Sequence, residues 1–397
     1  MIGAVVILLA LLLLGIVLQD TFEVMLLPRR VRRRLRLMRG FFHIAWWAWS
    51  SVGSVIPQGS RRERWLSAFG PLSMISLFTL WALGFMLGFG MLLWAVQELA
   101  VPTGANDHPV FLEQLYLSGV TFFTLGYGDV VPKTLPARIL AVGEAGTGFS
   151  LIAIVIGYLP VLYQLFSRRE AHVIQLDGRA GSPPTAGTLL LRHAGGDGTR
   201  HLDALLQVWE MWGAELLESH LSYPMLAYYR SQHDNQSWLG AIAAVMDTSA
   251  LILVGLEGPS LLQARMTFAM LRQVMLEMNA SFRLPVSRVA RIDRLPHDAF
   301  VKLDAALTDS RLGWAGGTES EELLAALRSS YEPMLGGLSI YLMVPLPGWM
   351  PDAGAADHWA EGARGTLARR LVHDLASRGE EPDGRPSLWR KIRGRLK

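Results

Sequence analysis

Residues 110–129 read V-F-L-E-Q-L-Y-L-S-G-V-T-F-F-T-L-G-Y-G-D, and the fold turns on how this stretch is read. Val110 to Phe123 has an amphipathic helical pattern, but its 14 residues fall well short of the roughly 20 that a helix needs to cross a bilayer. Thr124 to Asp129 has no helical period and places Gly126 and Gly128 at alternate positions. Long apolar runs flank the stretch on both sides. A short helix leading into a glycine loop between two spans describes a re-entrant element, which enters and leaves the membrane on one side. Irregular backbone at that depth is tolerated only where protein buries it or where it lines a water-filled path.

Outward from this stretch, Leu72 to Val96 is 25 residues without an ionisable side chain, with Pro71 at the tolerated first helical position. A further span runs from 139 to 166 and ends at Arg168 and Arg169. Met1 to Leu18 is an 18-residue apolar run with no charged n-region or small-residue cleavage site, read as an uncleaved helix over 1–27. Seven arginines from 29 to 39 and three from 61 to 64 mark segment 28–70 as cytoplasmic, whereas Gln97 to Pro109 carries no Lys or Arg. The N-terminus is then outside and everything from 168 onward inside. Within 28–70, Phe41 to Ile56 holds Trp46, Trp47 and Trp49 between two arginine clusters and reads as a helix lying in the membrane interface.

The composition agrees. The 397-residue chain is 51% hydrophobic and only 18% charged, with a mean hydropathy of +0.28. A soluble domain carries about 25% charged residues. There is no cysteine, which excludes disulfides, thiolate metal sites and thiol nucleophiles. The net charge of +3 is small, and the basic residues matter through their position beside the apolar runs.

Replacing the hydration shell of a monovalent cation requires closely spaced oxygens. Backbone carbonyls from symmetry-related loops supply them if Gly126 and Gly128 take left-handed φ values, so that successive carbonyls face one axis. Thr124 adds a hydroxyl, Leu125 and Tyr127 point away into packing, and Asp129 sits at the mouth, where it draws cations in. Thr124 to Asp129 resembles the T-V-G-Y-G filter of the potassium-channel pore family. The resemblance runs from about Val110 to Phe166. It implies K⁺ as permeant ion at the carbonyls of residues 124–128, no other metal or cofactor, and a homotetramer, since one loop cannot enclose an axis. It also implies a hinge at Gly148. Leu125 replaces the common valine and Phe123 a common second threonine, and neither removes a carbonyl. Val120 stands where some members place a carboxylate, so Tyr116 is the candidate partner for Asp129. Glu144 lies within the span, where both a hydrogen bond behind the filter and a part in gating fit. Gly143 and Gly146 read as packing positions.

Past a linker over 170–187, residues 188–380 read as a mainly helical cytosolic domain, followed by a basic tail over 381–397. Helices are expected near 202–217, 238–254, 260–282, 297–308, 319–331 and 357–377, with room for strands at 189–191 and 338–344. Trp238 to Val254 is apolar enough to span, but Asp247 near its centre favours a core helix. The glycines at 195, 196 and 198 lack a Walker lysine and read as a loop. His220, His233 and Asp234 lack the further ligands of a metal site. The expectation is an all-α membrane protein, not an enzyme: a pore module over 71–169 (outer helix 72–96, pore helix 110–123, filter 124–129, inner helix 139–166) with one extra N-terminal helix. Its partners would be its own copies and membrane lipid, with no nucleic acid and a cytosolic regulator left open. Its place would be a bacterial inner membrane. Rival readings are a weakly selective cation channel and a membrane-anchored sensor or scaffold.

Overall fold

The computed structural model describes residues 2–25, 37–101, 108–194, 198–232, 235–284, 293–310 and 312–352. Twelve α-helices and one 3-10 turn account for the regular structure among them, with a single isolated bridge between Leu256 and Trp314. The protein is an all-α membrane protein. Four helices are long and apolar enough to span: α1 (Ile2–Met25), α3 (Ser60–Leu99), α5 (Leu135–Ala180) and α8 (Trp238–Gly255).

The first three pack side by side. Small residues on α3 let α1 approach closely: the place of a Cβ on Gly88 falls 2.6 Å from Leu14, and on Gly84 2.8 Å from Val17. At the far end Gly3 lies against Leu99. The two helices are therefore antiparallel, and the N-terminus shares a side with the loop after α3. Trp81 Nε1 donates to Asp20 Oδ2 at 2.9 Å where α1 nears its end.

Several boundaries differ from the sequence reading. The outer helix begins at Ser60, not Leu72, so Pro71 lies inside it; the carbonyl that proline leaves unbonded belongs to exposed Ser67. The inner helix begins at Leu135, where the Thr134 side chain accepts from Ala137 N and Pro136 sits in the first turn. It runs through Pro160 to Ala180, so most of the expected linker is helix. The anticipated strands are helices: 189–191 belongs to α6 (Ala186–Arg192) and 338–342 to α12 (Glu332–Leu342). Short apolar runs do not distinguish the two by periodicity, and here tertiary burial decides.

The arginine block at 29–36, Gly195 and Gly196, His233 and Asp234, the helix expected at 357–377 and the basic tail lie outside the described residues. Gly198 opens α7 (Gly198–Ser222).

α2 (Leu37–Val55) lies between the membrane helices and the C-terminal helical unit. Its Phe42 and Trp46 are buried, the latter donating to Tyr341 O at 2.8 Å, while Ile44 and Trp47 on its other side are exposed. In the C-terminal unit, α7 pairs with α9 (Leu261–Phe282), and α8 forms the centre. α8 is enclosed by protein along most of its length, and Asp247 is held by Arg294 at 2.7 and 2.8 Å and by Tyr331 at 2.7 Å. It is a core helix, despite its apolar composition.

The 3-10 turn Pro224–Tyr228 joins the two parts. Arg169 on α5 is buried and donates to Leu226 O at 2.8 Å and Tyr229 O at 2.6 Å. His220 lies beside it, and burial, reinforced by the Arg169 charge, pushes its pKa down to about 3, so it is neutral. Tyr228 packs on Phe42, Trp46 and Phe69, and Tyr229 fits against Gly70. One apolar core thus runs from α1 to Trp349.

Candidate ion-conduction site

The short helix α4 (Phe111–Phe122) is fixed on two sides by polar contacts within apolar surroundings. Buried Gln114 and Ser118 lie one turn apart on a single face. Gln97, at the end of α3, donates to Gln114 at 2.5 Å, and its Oε1 accepts from Lys133 N at 3.1 Å. One side chain therefore ties the outer helix, the short helix and the loop after residue 129 together. Ser118 donates to Met86 O at 2.8 Å and also pairs with Glu144. Glu144 is fully buried on α5, directly behind the short helix. Trp94 closes the outer loop by donating to Pro109 O at 3.0 Å.

The backbone leaves α4 at Phe123 and becomes irregular. Thr124 N still reaches Thr121 O at 3.0 Å and Leu125 N reaches Val120 O at 2.8 Å. Beyond that point φ is +57° at Thr124, +61° at Gly126 and +77° at Gly128, while Leu125 and Tyr127 stay outside the left-handed region. Alternation of this kind turns successive carbonyls toward one side of the strand. For Gly126 and Gly128 the conformation is nearly free. For Thr124, a β-branched residue, it costs on the order of 1–3 kcal/mol and is held by the surrounding structure. The sequence pointed to the two glycines and missed the threonine, since nothing in local propensity predicts a left-handed threonine.

Residues 123–129 are all exposed within the single chain, Leu125 at 53% and Tyr127 at 67%. Tyr127 therefore has no enclosing packing within its own chain. Tyr116 and Asp129 are brought together: the phenol donates to Asp129 Oδ2 at 2.8 Å. That bond holds the Asp129 carboxyl below the usual carboxylate range, with its own backbone N–H and that of Val130 adding to the effect.

The glycines of α5 differ in what surrounds them within the chain. A Cβ on Gly148 would fall 2.0 Å from Phe122 O, so glycine is required there for contact with the end of the short helix. Gly143 and Gly146 meet no atom within 4 Å in the chain, so neither packs against its own neighbours. Gln97, Gln114 and Ser118 escaped the sequence reading. The i, i+4 spacing of Gln114 and Ser118 on an otherwise apolar helix was the available signal.

Residues 77–164 match the family model described as an ion channel. The uncharacterised membrane protein YdjJ of Bacillus subtilis strain 168 is 20% identical over 211 residues, 53% of this chain and 60% of that protein. Protein LctB of Bacillus caldotenax is 30% identical over 130 residues, 28% of this chain and 91% of LctB. The human potassium voltage-gated channel subfamily KQT member 4 is 30% identical over 113 residues, 28% of this chain and 14% of that one. The chain belongs to the potassium-channel pore family. No solved structure matches it. The family match begins within α3 and ends within α5, so it takes in parts of both helices and the short helix and loop between them, in a multi-pass membrane protein. α1, α2 and everything from α6 onward lie beyond the family match. The chain spans about 60% of the length of YdjJ, so likeness to that relative extends past the pore module without covering it whole.

Proposed function

We propose that the protein is a potassium-selective channel subunit that forms a homotetrameric pore, with residues 124–128 as its selectivity filter. The carrying observation is the alternation of left-handed φ at Thr124, Gly126 and Gly128 in a loop supported from behind by a short helix. Four such strands around an axis would present rings of carbonyl oxygens to a dehydrated cation. The ionised Asp129 at the mouth raises the local cation concentration. The exposed apolar face of α5, which includes Val142, Phe149 and Ile156, and the exposed Leu125 and Tyr127 supply surface for neighbouring copies. The arginines between 61 and 64 lie on the side opposite the mouth, which favours an external N-terminus and a cytosolic C-terminal unit in a bacterial inner membrane. That unit, joined to α5 without a break, would set the open probability.

Flux from liposomes holding the purified full chain tests this reading. K⁺ and Rb⁺ should pass far better than Na⁺, with block by Ba²⁺. Equal Na⁺ and K⁺ permeability would replace it with a weakly selective channel, and no flux under any condition with an anchored scaffold. A cysteine placed at Ser60, in this cysteine-free chain, should resist labelling from outside.

A further inference from the structure

Behind the candidate filter, one serine hydroxyl meets two acceptors with a single hydrogen. Ser118 Oγ lies 2.8 Å from Met86 O on α3 and also meets Glu144 Oε1 on α5. A hydroxyl donates once and accepts through its lone pairs, whereas a backbone carbonyl and an ionised carboxylate only accept. With Glu144 ionised, the three oxygens would share one hydrogen, and one of the two contacts would set lone pairs against each other. Both contacts are hydrogen bonds only if Glu144 supplies a second hydrogen.

The surroundings agree. Glu144 has no solvent exposure within its own chain, which leaves no surface for a neighbouring copy to contact. Its other oxygen, Oε2, is shielded and has no hydrogen-bond partner, and among the described residues no basic side chain pairs with it. A carboxylate here would be a buried charge with a contested donor. A carboxylic acid leaves one neutral carbonyl oxygen unmet, which costs far less.

The placement gives that hydrogen a task. α5 meets the short helix α4 at two points: at Ser118 through Glu144, and at Phe122 O, where only Gly148 leaves room. From Ser118 the second bond goes on to α3 at Met86. Thr124, where the left-handed alternation begins, is bonded back to Thr121 O in the last turn of the same helix.

We propose that Glu144 keeps its proton and donates it to Ser118 Oγ, which donates in turn to Met86 O, so that a neutral chain of two hydrogen bonds pins the short helix to both flanking spans. Resting on the channel reading above, Glu144 is a positioning residue for the filter. It touches no ion and acts through the short helix from which residues 124–128 extend.

The test uses the full chain labelled with carbon-13 glutamate, in liposomes at neutral pH, with infrared absorption and ion flux as readouts. The native protein should show the carbonyl band of a protonated carboxylic acid, and Glu144→Gln should remove it. In Ser118→Ala the acid has lost its acceptor, and the band should move to higher frequency. Glu144→Gln, whose amide also donates to Ser118, should keep the native K⁺ over Na⁺ permeability ratio, whereas Glu144→Leu, which donates nothing, should lower it tenfold or more. The proposal is overturned if Glu144→Gln removes no such band, if the band ignores Ser118→Ala, if Glu144→Gln is as impaired as Glu144→Leu, or if Glu144→Leu keeps the native ratio. Should Glu144→Gln fail to assemble, the response of the band to Ser118→Ala decides alone. The band without ion flux would refute the channel reading and leave the protonated acid standing. Selective flux without the band would do the reverse.

Discussion

Thr124 carries a backbone conformation that a β-branched residue adopts only under constraint, and its neighbours two and four positions on are glycines because the same turn recurs there. Gly128→Ala adds a Cβ at φ +77°, and the expected result is loss of selective flux with tetramer assembly intact, checked by bi-ionic reversal potentials and native mass. Tyr116→Phe removes the donor that keeps Asp129 ionised. A carboxyl with a depressed pKa holds its charge until the pH falls through that lowered value. External acid should therefore reduce single-channel current at a higher pH in the variant than in the native protein. Gly148→Ala drives a methyl into the Phe122 carbonyl, an overpacking that costs roughly 1–3 kcal/mol where the structure cannot give way. Because that carbonyl closes the helix directly below the filter, ion preference should change, and a variant altered only in opening rate would contradict the packing. The glycine pattern and the tyrosine were legible from residue type and spacing. The close contact of Gly148 with Phe122 was not, since spacing shows that a helix has a small face but not which neighbour it meets.

Among elements, the spans were legible because lipid demands a length and a composition that few other helices share. Their ends were not. α3 and α5 continue past the membrane as ordinary helix, where apolarity no longer marks the boundary and burial under the C-terminal unit takes over. α8 shows the converse. It has the composition of a span, but Asp247, fully buried and paired with Arg294, marks it as the core of a folded unit. Asp247→Ala leaves the Arg294 charge buried with only a partial partner in Glu332 at 3.3 Å. A loss of roughly 3–5 kcal/mol is expected, read as a lower melting temperature of the purified protein. The ion preference of the surviving channels should be unchanged, because α8 contributes no atom to residues 124–128. On α2, Ile44 and Trp47 are exposed while Phe42 and Trp46 are buried. The buried face of α2 could not be foreseen because part of its cover, Tyr228 and Tyr341, lies hundreds of residues away.

At the scale of the whole molecule, α5 carries both Glu144, which backs the short helix, and the contacts to the C-terminal unit on one continuous helix of 46 residues. Ending the chain after Ala180 removes no part of the filter and no membrane helix, so selectivity should survive in single-channel recordings while open probability changes. The truncated protein should also be less stable, since Val173 and Leu176 on α5 and Phe42 and Trp46 on α2 lose their cover. A tetramer that assembles but no longer prefers K⁺ would show that the unit shapes the filter. The contact between Trp46 and Tyr341 bears also on how the chain is made. The two residues are 295 positions apart, and at roughly 5–20 residues per second a ribosome needs about 15–60 s to travel between them. During that interval the aromatic face of α2 and its α3 partner Phe69 have been made, but the residues of the C-terminal unit that cover it do not yet exist. The bilayer headgroup zone, where tryptophan is at home, is then its nearest shelter. Completing the fold means lifting that face off the lipid and onto Tyr228 and Tyr341, which makes the order of synthesis part of how this protein matures.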